Sequence, residues 1–139
     1  MKLILIVGFV EFMFRTQPNN YTIKNYYLNK NQNDIEVLLF GDSHCFYGLN
    51  PIYFDKSTFN LSNVSQTIYF DKLLLEKYFD KLPKLKCVVF CIEYTNLSQQ
   101  DNTQDDVFRK YYYQYFMGLD VPIIHELDFN QDLLSFVES

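Results

Sequence analysis

The sequence predicts a single α/β domain built on a short parallel sheet. Two apolar runs, at residues 35–40 and 85–94, are nearly continuous, which is typical of strands buried on both faces of a parallel sheet. Between them, residues 66–82 repeat apolar side chains at helical spacing and predict an amphipathic helix. Strand, helix and strand in this order indicate a three-layer α/β fold with right-handed crossovers.

The remaining elements are weaker and follow the same alternation. The helix at 66–82 is followed by Pro83, and the helix at 107–117 is ended by Gly118. Three strands make a thin sheet, because open sheets usually hold about four to six, so the domain is expected to be incomplete. The predicted elements are strands at 35–40, 58–62 and 85–94 and helices at 66–82, 107–117 and 130–137.

Two segments precede this domain. Residues 1–15 are apolar but interrupted by Glu11, and the run is shorter than the roughly 20 residues that a membrane-spanning helix needs. Three interpretations of this segment remain open: a clipped membrane anchor over residues 2–14, a signal-like segment, and an amphipathic helix or first strand. If the segment is an anchor, the protein is expected in the cell envelope, outside the cytoplasm. Otherwise the protein is expected in the cytoplasm. Residues 16–34 are polar and predict a linker with one short helix around 23–28, before the partial α/β domain at 35–139.

Charge and cysteine usage exclude several classes of function. The net charge is −5 and the 12 basic residues are scattered, so no nucleic-acid surface is predicted. The three cysteines, Cys45, Cys87 and Cys91, are odd in number and form no CxxC pair, so neither a disulfide framework nor a zinc site is expected. Buried apolar packing is their expected role. The sequence contains neither a glycine-rich phosphate-binding loop nor acidic residues at the spacing of a calcium-binding loop. It therefore predicts no cofactor and no metal.

The stretch that carries chemistry is the end of the first strand, where Gly41, Asp42 and Ser43 follow an apolar run. The carboxyl end of a buried parallel strand delivers a side chain to a cleft. Gly41 permits a sharp turn, Asp42 braces it through side-chain to backbone hydrogen bonds, and Ser43 begins the next helix. There the Ser43 N–H can face a developing oxyanion. The competing interpretation is a plain turn in which Ser43 caps the helix.

Several motifs in residues 35–97 together resemble the opening of SGNH/GDSL hydrolases, particularly the membrane-anchored bacterial branch related to polysaccharide O-acetylation. The resemblance covers nearly half of the chain. The motifs that carry it are Gly41-Asp42-Ser43-His44, Tyr47-Gly48-Leu49-Asn50-Pro51, Phe59-Asn60-Leu61-Ser62 with Ser65-Gln66, and Leu85 to Phe90 running into Glu93-Tyr94.

The resemblance implies a flavodoxin-like fold and an ester-cleaving or acyl-transferring site for acylated carbohydrate. Ser43 takes the nucleophile position, and its backbone N–H is one oxyanion donor. Ser65 or Gln66 stands where the second family block offers a glycine N–H. Asn96, offset from the usual pattern, stands for the asparagine of the third block.

The fourth family block, Asp-x-x-His, has no match, so the catalytic base is not identified. His44 adjoins Ser43, and side chains that adjoin at a helix start usually diverge. His125 is the remaining candidate for the base, although it follows Asp120 at a spacing of five rather than three. An ordinary loop histidine is the competing interpretation. The chain is therefore expected to be the front portion of a longer hydrolase or a degenerate relative, weak or inactive by itself. The alternatives are a noncatalytic scaffold module of the cell envelope and a gene fragment without function.

Overall fold

The protein is described here by a computed structural model that covers residues 2–98 and 109–121. Helices and strands alternate along most of this range, with short 3₁₀ turns at Pro51–Tyr53 and Phe79–Lys81. The elements are α1 (Lys2–Thr16), α2 (Asn20–Asn31), β1 (Val37–Gly41), α3 (Ser43–Gly48), β2 (Thr58–Asn60), α4 (Ile68–Tyr78), β3 (Cys87–Cys91), α5 (Tyr94–Ser98) and α6 (Arg109–Met117).

The three strands form one open, all-parallel sheet in the order β2-β1-β3. Val37 lies opposite Thr58 on one side and opposite Cys87 on the other, and Gly41 lies opposite Cys91. This arrangement confirms the predicted α/β class and is consistent with an incomplete flavodoxin-like fold. Because parallel strands end at the same edge, the segments that follow β1, β2 and β3 meet there.

β1 is the centre of the molecule, and every one of its residues is buried. Alternate side chains of a strand point to opposite faces, so β1 contributes to two apolar clusters. Leu38 and Phe40 belong to the larger cluster, together with side chains of α2, α4 and α6. Val37 and Leu39 pack with Cys45 of α3 on the opposite face. The burial of β1 on both faces explains its continuous apolar sequence.

β3 is less buried than its sequence predicts. Its apolar run indicates a strand covered on both faces, but Cys87 and Phe90 are exposed and the other three residues are half-buried. The reason is its position at the end of the strand order, where one neighbour is missing among the described residues. The apolar composition of this segment correctly predicts a strand of a parallel sheet. It does not indicate whether that strand lies in the middle of the sheet or at its edge.

α2 makes the segment at 16–34 part of the domain. The predicted linker contains a helix of 12 residues, longer than the short helix expected, and its start is fixed by a capping box between Asn19 and Thr22. Tyr21 and Leu28 are buried in the larger cluster. The Asn25 amide donates to a backbone carbonyl of α6 and accepts from a tyrosine hydroxyl of α4. These contacts tie α2 to the core.

α1 exposes several large apolar side chains to solvent. It resolves the choice between helix and strand for the N-terminal segment in favour of a helix of 15 residues. No helix in the described part of the chain is long and apolar enough to cross a membrane. The exposed large apolar side chains of α1 are Leu5, Ile6, Val7, Phe9, Val10, Phe12 and Met13.

α6 closes the larger cluster from the C-terminal side. Tyr113 and Met117 of this helix are buried, and Gly118 ends it with a φ of +61°, as the sequence predicts. The Lys77 ammonium of α4 donates to the carbonyl of Gly118 at 2.7 Å. The helix predicted at 130–137 and His125 lie outside the described residues.

Candidate functional site

The turn after β1 brings its residues against the end of β3. Gly41 has a φ of +137°, which L side chains rarely adopt. A Cβ on Gly41 would stand 2.8 Å from the carbonyl oxygen of Cys91 and 3.1 Å from the Cβ of Cys45. A glycine is therefore required for β1 and β3 to approach this closely while the chain turns into α3.

Asp42 and Ser43 begin α3. One carboxylate oxygen of Asp42 accepts the backbone N–H of His44 at 2.9 Å, so Asp42 braces the turn as predicted and is itself the helix cap. The alternative in which Ser43 caps the helix is wrong. Ser43 is the first residue of the helix and is half-buried. Within the part of the chain that the structure describes, the Ser43 hydroxyl has no hydrogen-bond partner. Capping is done by Asp42, which leaves that hydroxyl unused.

Asn96, which follows β3, lies at this turn. It is buried, and its amide nitrogen lies 3.4 Å from the second carboxylate oxygen of Asp42. Its side-chain oxygen accepts the backbone N–H of Glu93 at 2.7 Å. Asn96 therefore joins the segment after β3 to the segment after β1, with its amide directed at Asp42.

The loop after β2 also reaches the turn. The Asn63 N–H donates to the Gly41 carbonyl at 3.1 Å. Ser65 has a φ of +53°, the left-handed conformation that a glycine favours, at the position where the family resemblance expects a glycine. The loop after β2 therefore contacts the turn after β1 through a backbone hydrogen bond.

Gln66 points into the core instead of the cleft. It is buried, and its amide nitrogen lies 2.5 Å from a carboxylate oxygen of Asp71 and 3.3 Å from the Leu61 carbonyl. Its side-chain oxygen accepts the Tyr113 hydroxyl at 2.8 Å, and its backbone N–H donates to Asn63. With these groups engaged, Gln66 holds the loop in place and offers no free donor to a bound ester.

Asp71 lies beneath the same turn. Burial is the main cause that raises the pKa of its carboxyl to about 6, and the charge of Asp42 acts in the same direction. Hydrogen bonds from Gln66 and from the Gly41 N–H oppose this rise. A buried carboxyl that titrates in this range makes the turn sensitive to pH.

His44 and Glu93 form a contact that the sequence reasoning missed. In the sequence, His44 is only a poor candidate base for Ser43, and Glu93 is only part of a strand end. The His44 Nδ1 is in contact with a carboxylate oxygen of Glu93 and lies 3.4 Å from one of Asp42. The sequence carries no local signal for this contact, because it depends on the parallel register, in which Gly41 lies opposite Cys91 and the residues after both strands lie side by side.

The cysteines also differ from the expectation. Cys45 and Cys91 form a disulfide, with Cα atoms 5.7 Å apart, within the usual range for such bonds. Cys87 is free and exposed, so the expectation of three buried apolar cysteines is wrong for it. No disulfide is expected from the sequence, whereas the fold pairs two cysteines that lie 46 positions apart. The disulfide links the end of β3 to α3, the helix that begins at Ser43.

A cavity of about 380 Å³ adjoins the C-terminal part of α3. Its lining combines aromatic faces, at Phe46 and Tyr47, with the amide of Asn50. Lys24 also lines it and is largely buried, which lowers the pKa of its ammonium to about 7. The Lys24 Nζ donates to the Ser62 carbonyl and lies 4.4 Å from the centre of the Phe46 ring.

Comparison with known proteins finds no match. Neither a protein-family model, nor a curated protein, nor a solved structure matches this chain. The site is therefore interpreted from its own geometry.

Proposed function

We propose that the chain is a relative of the SGNH/GDSL hydrolases, in which Ser43 is the nucleophile that accepts an acyl group from an ester. The observation that carries this proposal is the position of Ser43. It directly follows the central buried strand of a parallel sheet, and the loops after β2 and β3 converge on its turn. Clefts at the carboxyl ends of parallel strands are the usual binding sites of open α/β folds.

The reaction proposed is ester hydrolysis or acyl transfer. The Ser43 Oγ forms a bond to the acyl carbon, the ester C–O bond breaks, and the leaving alcohol takes up the proton that the hydroxyl loses. Water, or a second alcohol, then cleaves the acyl–serine ester and restores Ser43. Since an un-ionised hydroxyl is a poor nucleophile without a hydrogen-bonded base, turnover by residues 1–139 is expected to be slow.

Acylated carbohydrate is the proposed substrate class. The cavity beside α3 offers aromatic surface from Phe46 and Tyr47, together with the polar groups of Asn50 and Lys24. Tyr47 is 75% exposed, so its ring is available to a ligand. Aromatic faces and amides suit a sugar ring, which has both apolar faces and hydroxyl groups.

The proposal includes a location in the cell envelope. The exposed apolar side chains of α1 favour association with lipid over a free helix in water. The disulfide between Cys45 and Cys91 is of the kind that persists outside the cytoplasm. Both features support an extracytoplasmic, membrane-associated protein.

The experiment is hydrolysis of p-nitrophenyl acetate by the folded chain. We expect slow release of p-nitrophenol above the buffer rate, and we expect Ser43→Ala to abolish that excess. Ser57→Ala is the matched control, because Ser57 is exposed in the loop before β2 and belongs to no part of the site. Equal rates for the wild type and Ser43→Ala would contradict the proposal.

A noncatalytic binding module is the second candidate function. It is favoured by the cap that Asp42 provides and by the lack of any described residue hydrogen-bonded to the Ser43 hydroxyl. In that case the cavity beside α3 binds a ligand while Ser43 stays unmodified. A folded wild type that hydrolyses no ester supports this second function.

A further inference from the structure

Three side chains from two different strand ends converge beside the Ser43 turn. Asp42 and His44 follow β1, and Glu93 follows β3. One ligand atom from each, two carboxylate oxygens and an imidazole nitrogen, lies within 4.8 Å of the others. This cluster cannot be recognised from the spacing of its residues in the sequence. It forms because β1 and β3 pair in parallel and end side by side.

The cluster places negative charge around one nitrogen donor. Two carboxylates face the same ring nitrogen of His44, one at 3.4 Å and the other in direct contact. A cation bound between the three side chains is attracted by both carboxylates.

The donor set suits a transition metal. Zinc binds both imidazole nitrogen and carboxylate oxygen, at about 2.0 to 2.2 Å. Calcium and magnesium prefer sites made of oxygen alone, so the imidazole favours zinc over them.

The surroundings support the ligands and leave a path for the ion. Asn96 holds the second oxygen of Asp42, and the His44 N–H holds the first, which fixes the orientation of that carboxylate. The His44 side chain is 71% exposed and that of Glu93 is 33% exposed. An ion therefore reaches the cluster directly from solvent.

We propose that Asp42, His44 and Glu93 form a binding site for a divalent transition-metal ion of the zinc type, with a fourth position open to solvent. The three ligands are those of an open zinc site, in which three protein groups bind the ion and the fourth position takes water or a ligand. The site stands on its own geometry and does not depend on the reactivity of Ser43.

The test is calorimetric titration of the chain with Zn²⁺, and with Co²⁺ as a spectroscopic probe. All proteins carry Cys87→Ser, because the exposed Cys87 thiol is itself a zinc ligand, and no reductant is added so that the disulfide stays intact. The site variants are His44→Ala, Glu93→Gln and Asp42→Asn, the last of which retains a good helix cap. The controls are Glu76→Gln, at an exposed position on α4, and Ser43→Ala.

We expect one Zn²⁺ per chain and a visible Co²⁺ absorption band typical of a low-coordinate site. Each site variant should weaken binding by roughly tenfold or more, while both controls bind as the parent does. Thermal unfolding of each variant without metal verifies that it is folded. The absence of saturable binding, or unchanged binding in His44→Ala or Glu93→Gln, overturns the proposal. Because Ser43→Ala is expected to bind zinc normally, failure of the metal site and failure of the proposed esterase are distinguishable.

Discussion

Gly41 is the residue on which the geometry of the site most directly depends. Its φ of +137° and the Cys91 carbonyl oxygen, 2.8 Å from where a Cβ would stand, exclude a side chain without movement of β1 or β3. The sequence predicted a sharp turn at this glycine. It did not predict the close approach of β3, because that contact depends on which strands are neighbours.

We expect Gly41→Ala to lower the free energy of unfolding by at least about 2 kcal/mol, through backbone strain and the clash with Cys91. Gly48→Ala is the matched control, because a Cβ there meets nothing within 4 Å and its φ is not in the left-handed region. The control should change stability by less than about 1 kcal/mol. Urea unfolding measures both variants, and equal stabilities for the two would contradict the described turn.

Asp71 makes stability depend on pH. Its carboxyl has a folded-state pKa of about 6, above the ordinary value of 3.8, because it is buried and lies near Asp42. The folded state therefore binds the proton more tightly than the unfolded state does. The stability that this group contributes is fully present below about pH 3.8 and is lost as the pH rises through about 6.

We expect Asp71→Asn to remove this component, which is on the order of 3 kcal/mol between the two pH limits. The difference in unfolding free energy between wild type and variant should therefore change across pH 4 to 7, as followed by urea unfolding at several pH values. Asp80→Asn, at an exposed position, should leave the pH profile unchanged. A wild-type profile that is parallel to that of Asp71→Asn would show that Asp71 has an ordinary pKa.

At the scale of the elements, apolar patterns located the strands well but not their neighbours. The runs at 58–62 and 85–94 contain β2 and β3, and the run at 35–40 overlaps β1, which ends one residue later at Gly41. They do so because continuous or alternating apolar residues are a local property. Strand order is set by crossovers between distant segments, so the exposure of β3 could not be predicted from its sequence. For the same reason the contact between His44 and Glu93 emerged only with the fold.

α2 illustrates the opposite error, in which local composition hides a packed helix. Its segment is rich in asparagine, and helix propensity argues for a linker. The burial of Tyr21 and Leu28, with the bonds of Asn25 to α4 and α6, outweighs that propensity. The sequence signal for this helix is the pair Tyr21 and Leu28, which lie on one helical face. Two apolar residues are too few to define a helical period.

The disulfide is the covalent link between two elements, α3 and β3. Closing a chain segment of 46 residues is expected to stabilise the fold by about 4 kcal/mol in the chain-entropy model. Reduction should therefore lower the urea midpoint of the wild type and of Cys87→Ser equally, and peptide mapping without reductant should link Cys45 to Cys91. A map that links Cys87 to either of them would contradict the described register.

At the scale of the whole molecule, the sheet is covered unequally. One face carries α2, α4 and α6, whereas the described part of the other face carries chiefly the short α3. Large apolar side chains stay exposed at the edge near β3, at Phe90 and Ile92, and along α1. Such surface favours association with lipid or a protein partner.

The proposed function requires Ser43 to be a reactive nucleophile at the carboxyl edge of the sheet. A fluorophosphonate probe tests it most directly, because it modifies activated serines and spares those that only cap helices. The folded wild type and Ser57→Ala should carry the probe on the peptide that contains Ser43, as located by mass spectrometry, and Ser43→Ala or urea-unfolded protein should carry none. A folded wild type that stays unlabelled, or is labelled equally at other serines, would contradict the claim.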